Sequence, residues 1–180
     1  MKKMMFAAAT ASDDPQALRQ DLQESDSAEM RRRRAVIALN LAGLASMGLV
    51  TLLQSGLARR LPEPRGAKVL GRPVKTWEVN SSDTAYGYGT PDGTLALMAH
   101  AATIALAAAG DDNRVRDRPW LPVALAVLSG AQAAVAAKYL FHQMPKVDRA
   151  WCPYCVMDAV TMVAGFILSI PDAVRALRAD

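Results

Sequence analysis

Cys152 and Cys155 are the residues whose type and spacing most directly predict chemistry, and they are the only cysteines in the 180-residue sequence. They lie in Trp151-Cys152-Pro153-Tyr154-Cys155, directly before an apolar run that reaches Ile170. On a helix this spacing puts both thiols on one face, where they can close a disulfide within the first turn. Pro153 suits the first helical position, because its missing N–H has no partner there anyway. The pattern therefore predicts a redox pair at a helix start.

The predicted helix start favours Cys152 as the reactive cysteine. Unpaired N–H groups and the helix dipole stabilise a thiolate there and lower the pKa of the first cysteine in particular. The alternative is a pair of unreactive thiols buried in an apolar helix. We expect no metal, because a zinc site needs two further ligands and the nearest candidate, His142, stands alone.

The elements that must position this pair are four apolar runs. Composition alone is ambiguous, with 52% hydrophobic residues and a mean hydropathy of +0.08. Each run approaches the ~20 residues that span a bilayer and lacks the polar face of a soluble amphipathic helix. We therefore expect an all-α integral membrane four-helix bundle with a long outer loop between its first two spans. The expected spans are residues 36–57, 94–109, 121–141 and 154–170.

The basic residues predict topology rather than a nucleic-acid partner. A net charge of +4 is modest, and no basic stretch is interleaved with aromatic residues. The run Arg31–Arg34 abuts the first span, so the positive-inside rule places the N-terminus in the cytoplasm. Four crossings return the C-terminus to that side and leave the cysteines on the periplasmic side of a bacterial inner membrane, where disulfides persist.

This topology divides the chain into three parts. Residues 1–30 are expected to be a cytoplasmic tail, disordered or weakly helical, with a possible helix near Pro15 to Gln23. Residues 31–174 form the membrane domain, and 175–180 a second cytoplasmic tail. The loop 58–92 is interpreted as a lid over a site, because tyrosine and glycine are dense at its end; the alternative is a flexible linker.

Three polar residues within the spans are candidates for a function. Asp158 lies about one turn beyond Cys155 and is interpreted as a proton donor, with anchoring at the helix start as the alternative. Lys138 lies at a similar depth, where it would either pair with Asp158 or extend to the interface. His100 is expected to join two helices by a hydrogen bond rather than to carry protons.

The whole pattern resembles the vitamin K epoxide reductase family. The resemblance rests on four spans, on Cys-Pro-Tyr-Cys opening the fourth, and on a first loop ending in Asn80-Ser-Ser-Asp-Thr-Ala-Tyr-Gly-Tyr-Gly-Thr-Pro-Asp-Gly93. It covers roughly Arg31 to the C-terminus and is supported by Ser82 and the Gly89-X-Pro91 pattern. Glutaredoxins also carry Cys-Pro-Tyr-Cys, but there it follows an N-terminal strand, which this sequence lacks.

The resemblance implies a quinone-linked thiol oxidoreductase. Cys155 would exchange electrons with a quinone held in the bundle, and Cys152 would exchange disulfides with a second cysteine pair in the outer loop. This chain departs from that pattern, because its outer loop has no cysteine and the expected region, 76–80, reads Thr-Trp-Glu-Val-Asn. Either a periplasmic thioredoxin-like partner reaches an exposed Cys152 directly, or the relay is lost. Tyr154 and Ser82 are interpreted as lid or quinone contacts.

Two other function classes compete with this interpretation. A non-enzymatic membrane scaffold or assembly factor would keep the bundle and use the disulfide only to staple the fourth helix. That disulfide closes too small a loop to constrain the unfolded chain much, which argues against a purely stabilising role. A metal carrier using the two thiolates is disfavoured, because the nine methionines form no identifiable cluster.

Overall fold

The chain folds as a mostly helical structure, seen in a computed structural model that describes residues 15–178. The prediction of a helical fold is confirmed, and the sequence did not predict one short antiparallel hairpin, in which Lys68 pairs with Pro73. The α-helices are α1 Pro15–Glu24, α2 Ala28–Gln54, α3 Thr76–Asn80, α4 Asp92–Ala108, α5 Arg114–Asp117, α6 Trp120–Lys138 and α7 Pro153–Arg178. The remaining elements are β1 Lys68–Val69, β2 Arg72–Pro73, a 3-10 turn at Asp83–Tyr86 and a π-helical segment at Tyr139–Asp148.

The four longest helices pack side by side with alternating direction. Helix α2 packs against α4 and α7, and α6 packs against the same two helices. This arrangement has two distinct ends. We call the end where α7 begins the cysteine end, and the end where α2 begins the arginine end.

Three of these helices are long and apolar enough to cross a membrane. They are α2, α6 with its π-helical continuation to Asp148, and α7. Helix α4 is apolar but has 17 residues, which extend roughly 26 Å at 1.5 Å per residue against a hydrocarbon core of about 30 Å. Helix α2 starts eight residues before the expected span, because Ser27 caps it by accepting a hydrogen bond from the Met30 N–H at 3.1 Å.

The arginine end is closed by buried side chains. Arg33 is 1% exposed and donates to the carbonyl oxygens of residues 107–111, which are left without helical partners where α4 ends. Arg114 Nε lies 3.1 Å from Glu29 Oε1, and Arg32 pairs with Asp172 of α7. The arginine run thus joins three helices in addition to any role in topology.

The predicted N-terminal tail contains helix α1 and the first turn of α2. Arg34 Nη2 donates to the Leu22 carbonyl at 2.9 Å, and Ser25 Oγ donates to Asp112 at 2.8 Å. These contacts tie the tail to the arginine end. The rest of the tail, 1–14, and residues 179–180 lie outside the described residues.

The loop between α2 and α4 is tied to the start of α7 at the cysteine end. Val74 and Trp151 form a parallel β-bridge, in which the Trp151 N–H donates to the Pro73 carbonyl and the Lys75 N–H to the Trp151 carbonyl, each at 2.9 Å. Tyr154 Oη donates to the Pro62 carbonyl at 2.7 Å. The loop is therefore positioned by the residues on either side of Cys152.

Candidate active site at the cysteine end

Cys152 and Cys155 form a disulfide at the first turn of α7, with their Cα atoms 5.2 Å apart. Pro153 is the first residue of the helix, as its position in the motif predicts. The Cys155 N–H donates to Cys152 Sγ at 3.1 Å, and the Val156 N–H donates to the Cys152 carbonyl at 3.0 Å. The Cys155 N–H, which has no partner within the helix, thus points at the Cys152 sulfur, and the Val156 N–H makes the first i→i−4 bond of α7; in the dithiol state the first contact and the helix dipole favour negative charge on the Cys152 sulfur.

The two cysteines differ in burial. Cys152 is 0% exposed and packs in a cluster with Val74, Val79, Met144 and Trp151, whereas Cys155 is partly exposed. The expectation that Cys152 is exposed at the edge of the lid is therefore wrong. The physical reason is the β-bridge to Trp151, which holds residues 73–80 over the sulfur; we call these residues the cover segment.

Asn80 connects the cover segment to both sulfurs. Its Nδ2 donates to Cys152 Sγ at 3.2 Å, and its Oδ1 lies 3.5 Å from Cys155 Sγ. It is the last residue of α3, whose sequence is the stretch in which the family resemblance led us to expect a cysteine. That place in the loop is occupied by a neutral hydrogen-bonding side chain. The sequence analysis did not identify Asn80 as a site residue, although it lies in the stretch where a cysteine was expected and could have been identified from that position.

A cavity of about 380 Å³ begins at Cys155 and extends into the bundle. This volume is within the range of roughly 300–1,000 Å³ that is typical of small-molecule sites, and most of the lining is apolar. Leu95 of α4 and Val135 of α6 line it and are 39% and 52% exposed, so the cavity reaches the bundle surface between these helices. Its other polar lining residues are Asn80, Tyr88, Asp92, Gln132, Tyr139 and Asp158.

Asp158 begins a hydrogen-bonded chain that leads from the cavity into the bundle. Its Oδ1 lies 2.6 Å from His100 Nε2, and His100 Nδ1 lies 2.8 Å from Asn40 Oδ1. Asn40 Nδ2 donates to the Val36 carbonyl, which directs the Asn40 oxygen towards the histidine. His100 Nδ1 is therefore the donor to Asn40, and Nε2 faces the Asp158 carboxyl group. The prediction that His100 joins helices is confirmed.

The helices that hold the hydrogen-bonded residues Asp158, His100 and Asn40 pack so closely that a glycine is required on α2. A Cβ on Gly43 would collide with the His100 ring and would lie 2.6 Å from Thr161 Oγ1.

Lys138 is exposed, and the ion-pair partner of Asp158 is His100, so the alternative in which Lys138 extends outward holds.

A second hydrogen-bonded group is centred on Asp92, which also lines the cavity. Tyr139 Oη donates to Asp92 Oδ2 at 2.7 Å, and Gln54 Nε2 donates to Asp92 Oδ1 at 2.6 Å. Asp92 is the first residue of α4, so its carboxylate joins α4 to α2 and to the π-helical segment. Sequence reasoning did not identify Tyr139 or Gln54, because the partners lie 38 and 47 residues from Asp92 and leave no local pattern.

The other two candidate residues lie outside the cavity lining. Ser82 lies just after the cover segment, and its Oγ donates to the carbonyl of Val79 in that segment at 2.9 Å. Tyr154 holds the loop through Pro62, and its own carbonyl accepts from Ser46 Oγ at 3.0 Å. Both residues make loop contacts. Within residues 15–178 no group of three or more potential metal ligands occurs.

One comparison with known proteins gives a match. The sequence model of the Vitamin K epoxide reductase family matches residues 34–170, which contain the cysteine pair, the cover segment and the cavity. Neither a curated protein nor a solved structure gives a match.

Proposed function

Since the chain belongs to the vitamin K epoxide reductase family, whose members are membrane oxidoreductases that link disulfide chemistry to a quinone, we propose that it oxidises the thiols of a partner protein and passes the electrons to a membrane quinone through Cys152 and Cys155. The observation that carries the proposal is the position of Cys155 on the wall of an apolar cavity of about 380 Å³. A quinone ring is flat and largely apolar with two carbonyl acceptors, and the cavity offers such a ligand an apolar wall with a few polar side chains, among them Tyr88.

The half-reaction at the cavity transfers two electrons and two protons to the quinone. In the dithiol state, Cys155 passes an electron pair to the quinone while Cys152 Sγ attacks Cys155 Sγ and closes the disulfide. The two thiols release two protons, and the quinol takes up two. We assign Asp158 to proton transfer, because it lies one turn from Cys155 on the same cavity wall. His100 is a positioning residue that holds Asp158 and shares its proton.

The half-reaction with the partner restores the dithiol. A partner thiolate attacks Cys152, Cys155 leaves as a thiolate, and the second partner thiol then displaces Cys152 from the mixed disulfide. Because Cys152 is buried, this step requires the cover segment to move. We infer a periplasmic thioredoxin-like partner whose thiolate reaches Cys152 once the cover segment has moved. Tyr154 and Ser82 would hold the lid when it is closed.

We further propose that all four long helices cross the membrane of a bacterial cell. Helix α4 packs between α2 and α6. Because it has only 17 residues, the loops at its two ends would complete its crossing of the bilayer. The four arginines of Arg31–Arg34 support a cytoplasmic arginine end, with residues 1–30 and 175–180 on that side and the cysteine end in the periplasm.

The test is an assay of quinone reduction in detergent with a short-chain quinone and a reduced thioredoxin-like protein. We expect wild type to consume quinone, and Cys152→Ser and Cys155→Ser to lose the activity. In a separate reaction, Cys155→Ser is mixed with a single-cysteine variant of the partner activated as its thionitrobenzoate disulfide; the Cys152 thiolate should attack it, form a mixed disulfide with the partner and release thionitrobenzoate. Equal background rates in all three proteins would overturn the proposal.

A second candidate function is the membrane scaffold. The complete burial of Cys152, together with the cysteine-free loop, favours it. A scaffold would support assembly of its partner equally well in wild type and in the Cys152→Ser, Cys155→Ser double variant, and neither protein would reduce quinone.

A further inference from the structure

Three arginines surround a second cavity at the cysteine end. This cavity has a volume of about 700 Å³ and is lined by Arg59, Arg60 and Arg65, together with Glu63, Thr76 and Trp77. Within the described residues 15–178, none of the three guanidinium groups forms a hydrogen bond or an ion pair. Three arginines against one glutamate leave the lining with an excess of two positive charges. Unpaired arginines that converge on one space are typical of an anion site.

The cavity also has a buried polar group without a partner. Thr76 is 2% exposed, and its Oγ1 has no hydrogen-bond partner. An unsatisfied buried hydroxyl is unfavourable unless a ligand oxygen pairs with it. Glu63 Oε2 is already engaged, because it accepts the Thr76 N–H at 2.7 Å. Its carboxylate is therefore held by the backbone.

We propose that this cavity binds the phosphate group of an anionic phospholipid. The planar guanidinium fork matches phosphate oxygens in pairs, and the enclosed, unpaired Thr76 hydroxyl would supply a further donor once the cavity wall adjusts to the ligand. A lipid is favoured as the source of the phosphate because Leu53, near the end of α2, also lines the cavity. Trp77 of the lining is 56% exposed, and Leu57, two residues before Arg59 in the sequence, is 79% exposed, so apolar side chains accompany the arginines, as at a bilayer surface.

The test measures binding of short-chain phosphatidylglycerol, phosphatidylcholine and inorganic phosphate to the full-length protein in uncharged detergent. We expect phosphatidylglycerol to bind more tightly than phosphatidylcholine. The double variant Arg59→Gln, Arg60→Gln should bind phosphatidylglycerol roughly 30-fold more weakly, since each basic residue at a membrane surface contributes about a factor of five. Thr76→Val should weaken binding without any change of charge, and Thr76→Ser should restore it.

The matched control is Arg116→Gln, Arg118→Gln, which removes the same charge at the arginine end. An equal loss of binding in that control would show a general charge effect and overturn the site. Tighter binding of inorganic phosphate than of the lipid would overturn the lipid as its source. Binding of an acidic peptide with no preference for phosphatidylglycerol would overturn the proposal in favour of a protein partner. Neither cysteine is needed for binding, so the result is independent of quinone reduction.

Discussion

The two ends of the bundle use arginine in opposite ways. At the arginine end, Arg33 and Arg114 are buried and engaged with helix-end carbonyls and with Glu29. At the cysteine end, Arg59, Arg60 and Arg65 line an open cavity and have no partner among residues 15–178. The first arrangement fixes three helices together, whereas the second leaves charge available for a ligand. The arginine end thus stabilises the bundle, and we propose that the cysteine end is the one that opens, binds and reacts.

The largest expected effect tests whether the two ends contribute differently to stability, by removing one carboxylate from each end. Glu29→Ala leaves Arg114 buried without its ion pair, which we expect to lower the free energy of unfolding by about 3–5 kcal/mol. Glu78→Ala removes an exposed pair with Lys75 at the cysteine end and should lower it by no more than about 1 kcal/mol. Unfolding by denaturing detergent measures both. Equal losses would contradict the division between the ends.

The second prediction concerns activity at the cysteine end. Asp158→Asn keeps a hydrogen-bonding side chain beside His100 but removes the transferable proton. We expect quinone reduction to fall by about 10²–10⁴-fold, the usual contribution of a general acid or base. His100→Gln should change the pH profile of the same reaction, because the proton-sharing partner is lost. An unchanged rate in Asp158→Asn, measured by quinone absorbance, would remove Asp158 from the mechanism.

The third prediction compares two glycines of α2. Gly43→Ala would place a methyl group against the His100 ring and Thr161, which we expect to destabilise the protein by about 1–3 kcal/mol and to disturb the Asp158 pair. Gly48→Ala is the control, because no atom lies within 4 Å of its added Cβ, and it should stabilise the helix by up to about 1 kcal/mol. Thermal unfolding in detergent distinguishes the two; a stabilised Gly43→Ala would contradict the packing of His100.

The smallest expected effect is on access to Cys152. Val74→Ala thins the cover segment, so the Cys152 thiol should react severalfold faster with a maleimide in a reduced Cys155→Ser background. Val69→Ala, on the exposed hairpin, should leave the rate unchanged. Equal rates for Val74→Ala and its parent would show that the cover segment does not control access.

Local patterns in the sequence predicted the helices and the redox motif, because each pattern is formed by residues that are close together in the sequence. Pro153 marked the start of α7, and the apolar runs located the four long helices to within several residues. His100 was identified as an interhelical partner, because a buried polar side chain needs one. The fourth crossing is not decided by length, since α4 has only 17 residues.

Contacts between distant segments could not be predicted from the sequence. The bridge between Val74 and Trp151 depends on backbone groups, which every residue carries, so no residue type marks it. It buries Cys152, which we expected to be exposed so that a partner protein could reach it directly. Arg33 likewise resembled a simple topology signal, because its partners are carbonyl oxygens at the far end of α4.

The most direct test of the redox assignment is a single turnover without oxygen. The protein is reduced to the dithiol, the reductant is removed, and a short-chain quinone is added in excess while quinone absorbance and free thiols are followed. The account predicts that one equivalent of quinol forms as both thiols disappear, and that Cys155→Ser forms none. Free thiols that persist beside unchanged quinone in the wild-type protein would contradict it.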